Sequence, residues 1–166
     1  MTVTVSVPCT PDRLQPATLA AVALSGLPYR LVIFDPDDPY AYGRWWRQQW
    51  EKGETVIVLE HDVVPTRGQL LELERCGHDW CSYRYHDDRY GRGPMFGLVR
   101  FAGRVMRDHP LAADVALEDG ERRPTEVGWW EVDYAMARDL LIRGVQWHEH
   151  LPPVRHLHPG CPSGPP

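Results

Sequence analysis

Two acidic residues that follow a short apolar run could hold a metal ion. Thr55–Leu59 is almost entirely apolar, as strands buried on both faces are, and it leads directly into Glu60-His61-Asp62. Carboxylate oxygens are the hard ligands that Mg²⁺ and Mn²⁺ prefer. An ion held there can bridge a diphosphate and neutralise charge on a leaving group. The alternative is a solvated turn that happens to be acidic, because isolated acidic-x-acidic triplets are common.

A second pair of acids, Glu131 and Asp133, opens a stretch with helical spacing. The helix is predicted over Trp129–Arg143 and ends at Gly144. A carboxylate in its first turn can act as a general base that removes a proton from a hydroxyl, or it can stabilise the positive end of the helix dipole. Two residues apart, the acids cannot face the same direction on a regular helix. We therefore expect one of them to be structural.

The C-terminal part of the chain is rich in histidine, with His148, His150, His156 and His158. Each His-x-His pair could contribute to a metal site, and the second pair is the better candidate to complete the Glu60/Asp62 site. The chain has no HExxH motif and no cysteine at zinc-site spacing, which argues against a structural zinc. Its four cysteines form no CxxC pair, so we predict reduced thiols in a cytoplasmic protein.

The apolar pattern arranges these residues on alternating strands and helices. Strands are predicted at Thr2–Val7, Tyr29–Phe34, Thr55–Leu59, Asp79–Tyr85 and Met95–Phe101, and helices at 14–24, 42–50, 66–75 and 129–143. Loops are expected at 86–94 and 108–128. This order predicts an α/β domain with a mainly parallel sheet covered by helices. Ligands of such sheets bind beyond the carboxyl ends of the strands, where Pro8–Arg13, Asp35–Asp38 and Glu60–Asp62 follow.

Length and composition indicate one globular domain. The 166 residues suit a single domain, predicted at residues 1–158, followed by a Pro/Gly-rich tail at 159–166 that we expect to be disordered. With a net charge of −5, the chain lacks the surplus of basic residues that is typical of proteins that bind nucleic acid. No apolar run approaches the roughly twenty residues that a transmembrane helix needs.

In their order and spacing, these segments resemble the GT-A glycosyltransferases, especially the large inverting family 2. Val5–Pro8, Arg13 and the helix that follows are similar to the family's first strand, donor loop and first helix. Leu31–Asp35 is similar to the second strand, whose terminal aspartate contacts the nucleoside. Val56–Asp62 resembles the strand that leads into the Asp-x-Asp motif, with Glu60 in place of the first aspartate.

The resemblance continues in the C-terminal half of the chain. Trp130–Tyr134 is similar to the Glu-Asp-x-Asp-Leu helix of the family, with Trp130 in place of the glutamate. In that register Glu131 falls on the catalytic base, and Asp133 is its rival for the role. His156 or His158 resembles the late histidine that binds the metal in many members.

The resemblance implies a compact single-domain GT-A fold, Rossmann-like, with a mostly parallel sheet flanked by helices. It also implies inverting transfer of a sugar from a UDP- or GDP-linked nucleotide-sugar to an acceptor hydroxyl, with Mn²⁺ or Mg²⁺ held by Glu60, Asp62 and one of His156 and His158. The residues that would bind the donor are Pro8, Thr10, Arg13, Asp35, Asp37 and His61.

Two other functions use the same residues. A metal-dependent phosphoester hydrolase would use the acids and histidines with a metal-activated water, and it would require no sugar donor. A non-catalytic module would bind a nucleoside diphosphate or nucleotide-sugar without turnover.

Overall fold

The computed structural model describes residues 3–85, 94, 96–110 and 131–157, together with the backbone of residues 129 and 130. Its strands are β1 Val5–Cys9, β2 Tyr29–Ile33, β3 Val56–Leu59, β4 Val63–Val64, β5 Trp80–Tyr85, β6 Leu98–Phe101 and β7 Trp147–His156. Its helices are α1 Pro16–Ser25, α2 Ala41–Lys52, α3 Arg67–Arg75, α4 Gly103–Asp108 and α5 Trp129–Ile142. His158, the tail at 159–166 and most of both predicted loops lie outside the described residues, and the domain boundary at 158 stays a prediction.

The strands form one seven-stranded sheet in the order β2-β1-β3-β6-β5-β7-β4. β1 pairs in parallel with β2 and β3, and β5 pairs in parallel with β7. β6 is antiparallel to β3 and β5, and β4 is antiparallel to β7. Among the described strands, only β4 and β6 run against the common direction. This confirms the predicted α/β fold with a mostly parallel sheet.

Four helices lie where the sequence predicts them. α1, α2 and α5 are followed by Gly26, Gly53 and Gly144, each with a left-handed φ of 60–79° that glycine adopts at little cost. α3 begins with a capping box in which Thr66 and Gln69 exchange side chain–backbone hydrogen bonds. The short helix α4 and the strands β4 and β7 were not predicted.

Helices cover both faces of the sheet and create two apolar cores. On one face α2, α4 and α5 pack with Val56 and Val58 of β3, and on the other face α1 and α3 pack with Ile57 and Leu59. The alternation of these four buried residues confirms that β3 is buried on both faces. Trp46 and Trp80 are fully buried in the first core, which is the most aromatic part of the described chain.

Candidate active site

The turn after β3 brings Asp62 together with His156. The backbone of Glu60 donates to the carbonyl of Gly97 over 2.8 Å, and the chain then enters β4, where Val63 pairs with His156 of β7. The backbone of Leu157 donates to the carbonyl of Asp62, also over 2.8 Å. This pairing places Nε2 of His156 3.2 Å from Oδ2 of Asp62. The predicted contact between the acidic turn and a late histidine is therefore present for His156.

Asp62 has one carboxylate oxygen that remains available. Burial alone would raise its pKa, but the hydrogen bond with His156 and the neighbouring His61 outweigh burial and lower the pKa. The other oxygen, Oδ1, is buried and has no hydrogen-bond partner among the described residues. An ionised, buried oxygen without a donor suits a divalent cation, since Mg²⁺ and Mn²⁺ bind hard oxygen ligands. Asp62 and His156 therefore fit the metal that the sequence predicts.

Glu60 points toward a tyrosine rather than toward a compact ligand set. The hydroxyl of Tyr85 donates to Oε2 of Glu60 over 2.8 Å, and the Tyr85 ring stacks on His156 with centroids 4.3 Å apart. Burial, and then the charge of Asp62, raise the pKa of Glu60 from its usual 4.5 to about 7. Within the described ranges, Glu60, Asp62 and His156 do not bring three ligand atoms within 4.8 Å of one another.

Asp133 joins this group from α5. The hydroxyl of Tyr42, on α2, donates to Oδ1 of Asp133 over 2.9 Å. Burial, and then the charge of Glu60, raise the pKa of Asp133 well above its usual value. We name Glu60, Asp62, Asp133, His156 and the two tyrosines, Tyr42 and Tyr85, the acidic site.

Glu131 lies elsewhere on α5. Its side chain is partly exposed and makes no hydrogen bond or ion pair with the described part of the chain. Two positions along a helix correspond to about 200° of rotation, so Glu131 and Asp133 face different directions, as the sequence indicated. The structure brings Asp133, and not Glu131, into contact with the acidic site.

The loop after β1 reaches the acidic turn. The backbone of Arg13 donates to the carbonyl of Thr10 over 3.1 Å, and the backbone of Gln15 donates to the carbonyl of His61 over 2.9 Å. Nε2 of His61 lies 3.8 Å from Oδ2 of Asp62, and burial lowers the pKa of His61. Pro8 and Thr10 are buried at this end of β1. Three of the predicted donor-binding residues, Thr10, Arg13 and His61, therefore belong to connected loops.

The loop after β2 forms a turn of its own. Oδ1 of Asp35 accepts a hydrogen bond from the backbone of Asp37 over 3.0 Å, and the backbone of Asp38 donates to the carbonyl of Asp35. Asp35 and Asp37 are exposed at the carboxyl end of β2. Since β2 runs parallel to β1 and β3, this turn lies on the same edge of the sheet as the acidic turn.

Neither tyrosine of the acidic site is predicted from the sequence. The sequence pattern places Tyr42 only on the apolar face of α2, and Tyr85 only at the end of a strand. A signal existed for Tyr85, because a hydroxyl-bearing residue at the carboxyl end of a sheet strand lies where ligands bind. Tyr42 gave no such signal, because its partner Asp133 lies 91 positions away in the sequence.

Two solved structures resemble this chain over 90% of its length. One is a glycosyltransferase involved in the glycosylation of the major capsid of PBCV-1, with a TM-score of 0.55, 14% identity and 82% of that chain covered. The other is the glycosyltransferase GlyE of Streptococcus pneumoniae TIGR4, with a TM-score of 0.54 and 11% identity. The chain has a glycosyltransferase-like fold. It spans 45% of GlyE, and at these identities the likeness concerns the fold.

Sequence comparison gives no relative. No family model matches the chain, and no curated protein matches it either. Among the described residues, no helix combines the length and the apolar character that crossing a bilayer requires.

Proposed function

We propose that the protein transfers a sugar, with inversion, from a UDP- or GDP-linked nucleotide-sugar to an acceptor hydroxyl, and that the transfer depends on Mn²⁺ or Mg²⁺. The observation that carries the proposal is the buried Oδ1 of Asp62, which lacks a hydrogen-bond partner in the described chain and lies beside His156 at the carboxyl end of β3. Ligands of open α/β sheets bind at that edge, and the fold is that of known glycosyltransferases.

Asp62 and His156 are the proposed metal ligands. Mg²⁺ and Mn²⁺ sites of this kind use one or two carboxylates and complete their shell with phosphate oxygens and water. A bound ion would neutralise the charge that develops on the departing diphosphate. Glu60, held by Tyr85, would act from outside the ligand set by orienting water or the donor phosphates.

Asp133 is the proposed base, and the geometry favours it over Glu131. It belongs to the acidic site, where burial and then the charge of Glu60 raise its pKa well above the usual value, which makes its carboxylate a stronger base. The Tyr42 hydroxyl fixes one of its oxygens, which leaves the other for the acceptor hydroxyl. His61, Arg13 and Thr10 line the edge where the donor would bind, and Pro8, Asp35 and Asp37 lie at the same edge.

Calorimetry of nucleoside-diphosphate binding tests the metal dependence. We expect Mn²⁺ to raise the affinity for UDP or GDP at least about tenfold, which is about 1.4 kcal/mol. Asp62→Asn and His156→Ala should remove most of that gain, and Glu60→Gln a smaller part. Asp139→Asn is the control, because this acid of α5 pairs instead with Arg143, just after the helix. Equal affinity with Mn²⁺ and with a chelator would contradict the metal bridge.

Turnover assays separate the proposed activity from its alternatives. A panel of UDP- and GDP-sugars with hydroxyl acceptors should give nucleoside diphosphate and a glycosylated product. Cleavage of model phosphate esters without any use of nucleotide-sugars would instead indicate a phosphoester hydrolase. Metal-dependent nucleotide binding without turnover across the panel would indicate a non-catalytic module.

A further inference from the structure

A second group of metal-binding side chains lies apart from the acidic site, at the C-terminal end of α3. One ligand atom from each of Cys76, Cys81 and His150 lies within 4.8 Å of the other two. Cys76 directly follows α3, where its backbone donates to the carbonyl of Leu73. Cys81 belongs to β5 and His150 to β7. Three separate elements therefore bring two thiols and an imidazole together, and all three side chains are buried.

The imidazole of His150 is held in an orientation that suits coordination. Its Nδ1 lies 2.8 Å from Oε1 of Glu72, while its Nε2 is buried without a hydrogen-bond partner among the described residues. The residue is only 7% exposed. A carboxylate that accepts from Nδ1–H selects the tautomer in which Nε2 carries a lone pair. The hydroxyl of Tyr83 also donates to Glu72 and fixes that carboxylate in turn.

The cluster can be reached from solvent. Cys76 and His150 line a surface pocket of about 540 Å³, together with Glu72, His78 and His148. Cys81 is fully buried behind them. A metal ion could therefore enter from the pocket, and its fourth ligand would come from the pocket side.

We propose that Cys76, Cys81 and His150 bind one zinc ion, with Glu72 as the carboxylate that orients His150. Two thiolates and one imidazole are a ligand set typical of zinc, whereas the oxygen ligands of the acidic site suit Mg²⁺ or Mn²⁺. Zinc sites place sulfur at about 2.3 Å and nitrogen at about 2.0–2.1 Å from the ion. Ligand atoms that already lie within 4.8 Å of one another need only small movements to reach this geometry.

Coordination changes the protonation of the thiols. In the metal-free chain, burial and then the hydrogen bond with Cys76 raise the pKa of Cys81, so this thiol is neutral. Binding of zinc requires both sulfurs as thiolates, and it therefore releases the Cys81 proton to solvent. The bound ion would join the end of α3 to β5 and β7, so it should stabilise this part of the fold.

Metal analysis of the full-length protein, purified with a reductant, tests the proposal. We expect one zinc per chain after reconstitution, and we expect the metal-free protein to take up Co²⁺ with the visible absorption of a tetrahedral thiolate site. Zinc should raise the melting temperature. Cys76→Ser, Cys81→Ser and His150→Gln should each abolish uptake, whereas the matched control Cys9→Ser, which removes a buried free thiol of β1, should retain it.

A further variant keeps the test decisive if the buried substitutions prevent folding. The Glu72 side chain is 49% exposed, so Glu72→Gln should fold, and loss of the orienting carboxylate should weaken zinc binding about 10- to 100-fold. The proposal is overturned if the wild type takes up neither zinc nor Co²⁺, or if uptake survives in Cys76→Ser and Cys81→Ser. Loss of zinc only in Asp62→Asn, or a Cys76–Cys81 disulfide in the reduced preparation, would also overturn it.

Discussion

The three carboxyl groups of the acidic site respond differently to burial. Asp62 has a histidine partner, so its pKa is lowered and it stays ionised at neutral pH. Glu60 and Asp133 have tyrosine hydroxyls as partners and repel each other, so burial dominates and raises the pKa of both. Neighbouring acids whose pKa values are pushed apart can take different chemical roles. This asymmetry is the reason to assign metal binding to Asp62 and proton transfer to Asp133.

Substitution of the two acids of α5 tests that assignment. We expect Asp133→Asn to lower turnover about a hundredfold or more, since a general base contributes about 10²–10⁴. Donor and metal binding should stay near wild type, because Asp133 contacts neither proposed ligand. Glu131→Gln should retain most activity, since this partly exposed side chain makes no hydrogen bond or ion pair with the described residues. Turnover, donor affinity and melting temperature of the two variants provide the comparison.

The same comparison can reject the assignment. A well-folded Glu131→Gln protein without activity, beside an active Asp133→Asn protein, would return the role of base to Glu131, as the family register implies. Tyr42→Phe separates the effect of orienting the Asp133 side chain from the effect of its carboxylate. It removes the hydroxyl that holds one oxygen of Asp133, so it should lower turnover less than Asp133→Asn does.

At the level of elements, the acidic site depends on strand pairing that is not local in sequence. β1, β3 and four helices carry local signals, namely apolar period, the Thr66/Gln69 capping box and glycines at helix ends. These signals predicted the elements and placed Glu60 and Asp62 correctly at a strand end. β7 contains Pro152 and Pro153 and lacks clear alternation, so its position follows only from pairing with β5 and β4. The pairing also gathers Cys76, Cys81 and His150, whose spacing in sequence argued against zinc.

Gly97, just before β6, is the point at which one element controls the site. Its carbonyl accepts from the backbone of Glu60, and a Cβ at this position would lie 1.9 Å from the hydroxyl oxygen of Tyr85. We expect Gly97→Ala to displace Tyr85 from Glu60 and His156, to cost about 1–3 kcal/mol of stability, and to weaken Mn²⁺-dependent nucleotide binding several-fold. Gly68→Ala is the control, because its Cβ would have no neighbour closer than 3.8 Å.

A double-mutant cycle shows whether Gly97 acts through Tyr85. If it does, Tyr85→Phe and Gly97→Ala should be strongly non-additive, since both break the same contact with Glu60. Chemical denaturation measures the coupling in the free energy of unfolding, and calorimetry measures the coupling in the Mn²⁺-dependent affinity for nucleotide. Additive losses would mean that Gly97 acts only through the backbone hydrogen bond from Glu60.

At the scale of the whole molecule, the acidic site places carboxyl groups next to the two apolar cores of the fold. The sheet has an aromatic core on one face and an aliphatic core on the other, and the acidic site lies at the sheet edge between the helices that cover them. Partly buried carboxyl groups there oppose folding when ionised. A bound cation reverses that effect, because it stabilises only the folded chain.

Glu60→Gln should therefore stabilise the protein, and it should do so more strongly without metal than with it. The pKa of Glu60 is raised from 4.5 to about 7 on folding, so the stability associated with its protonated form is lost as pH rises through about 7. Near pH 8 and with a chelator, Glu60→Gln should be more stable than wild type by about 1–3 kcal/mol, and below about pH 4.5 the difference should vanish. With Mn²⁺ and UDP or GDP this advantage should shrink, because the wild type gains more from binding. Urea unfolding at both pH values provides the measurement. If Glu60→Gln is less stable than wild type at pH 8 without metal, then the ionised Glu60 side chain does not destabilise the folded protein.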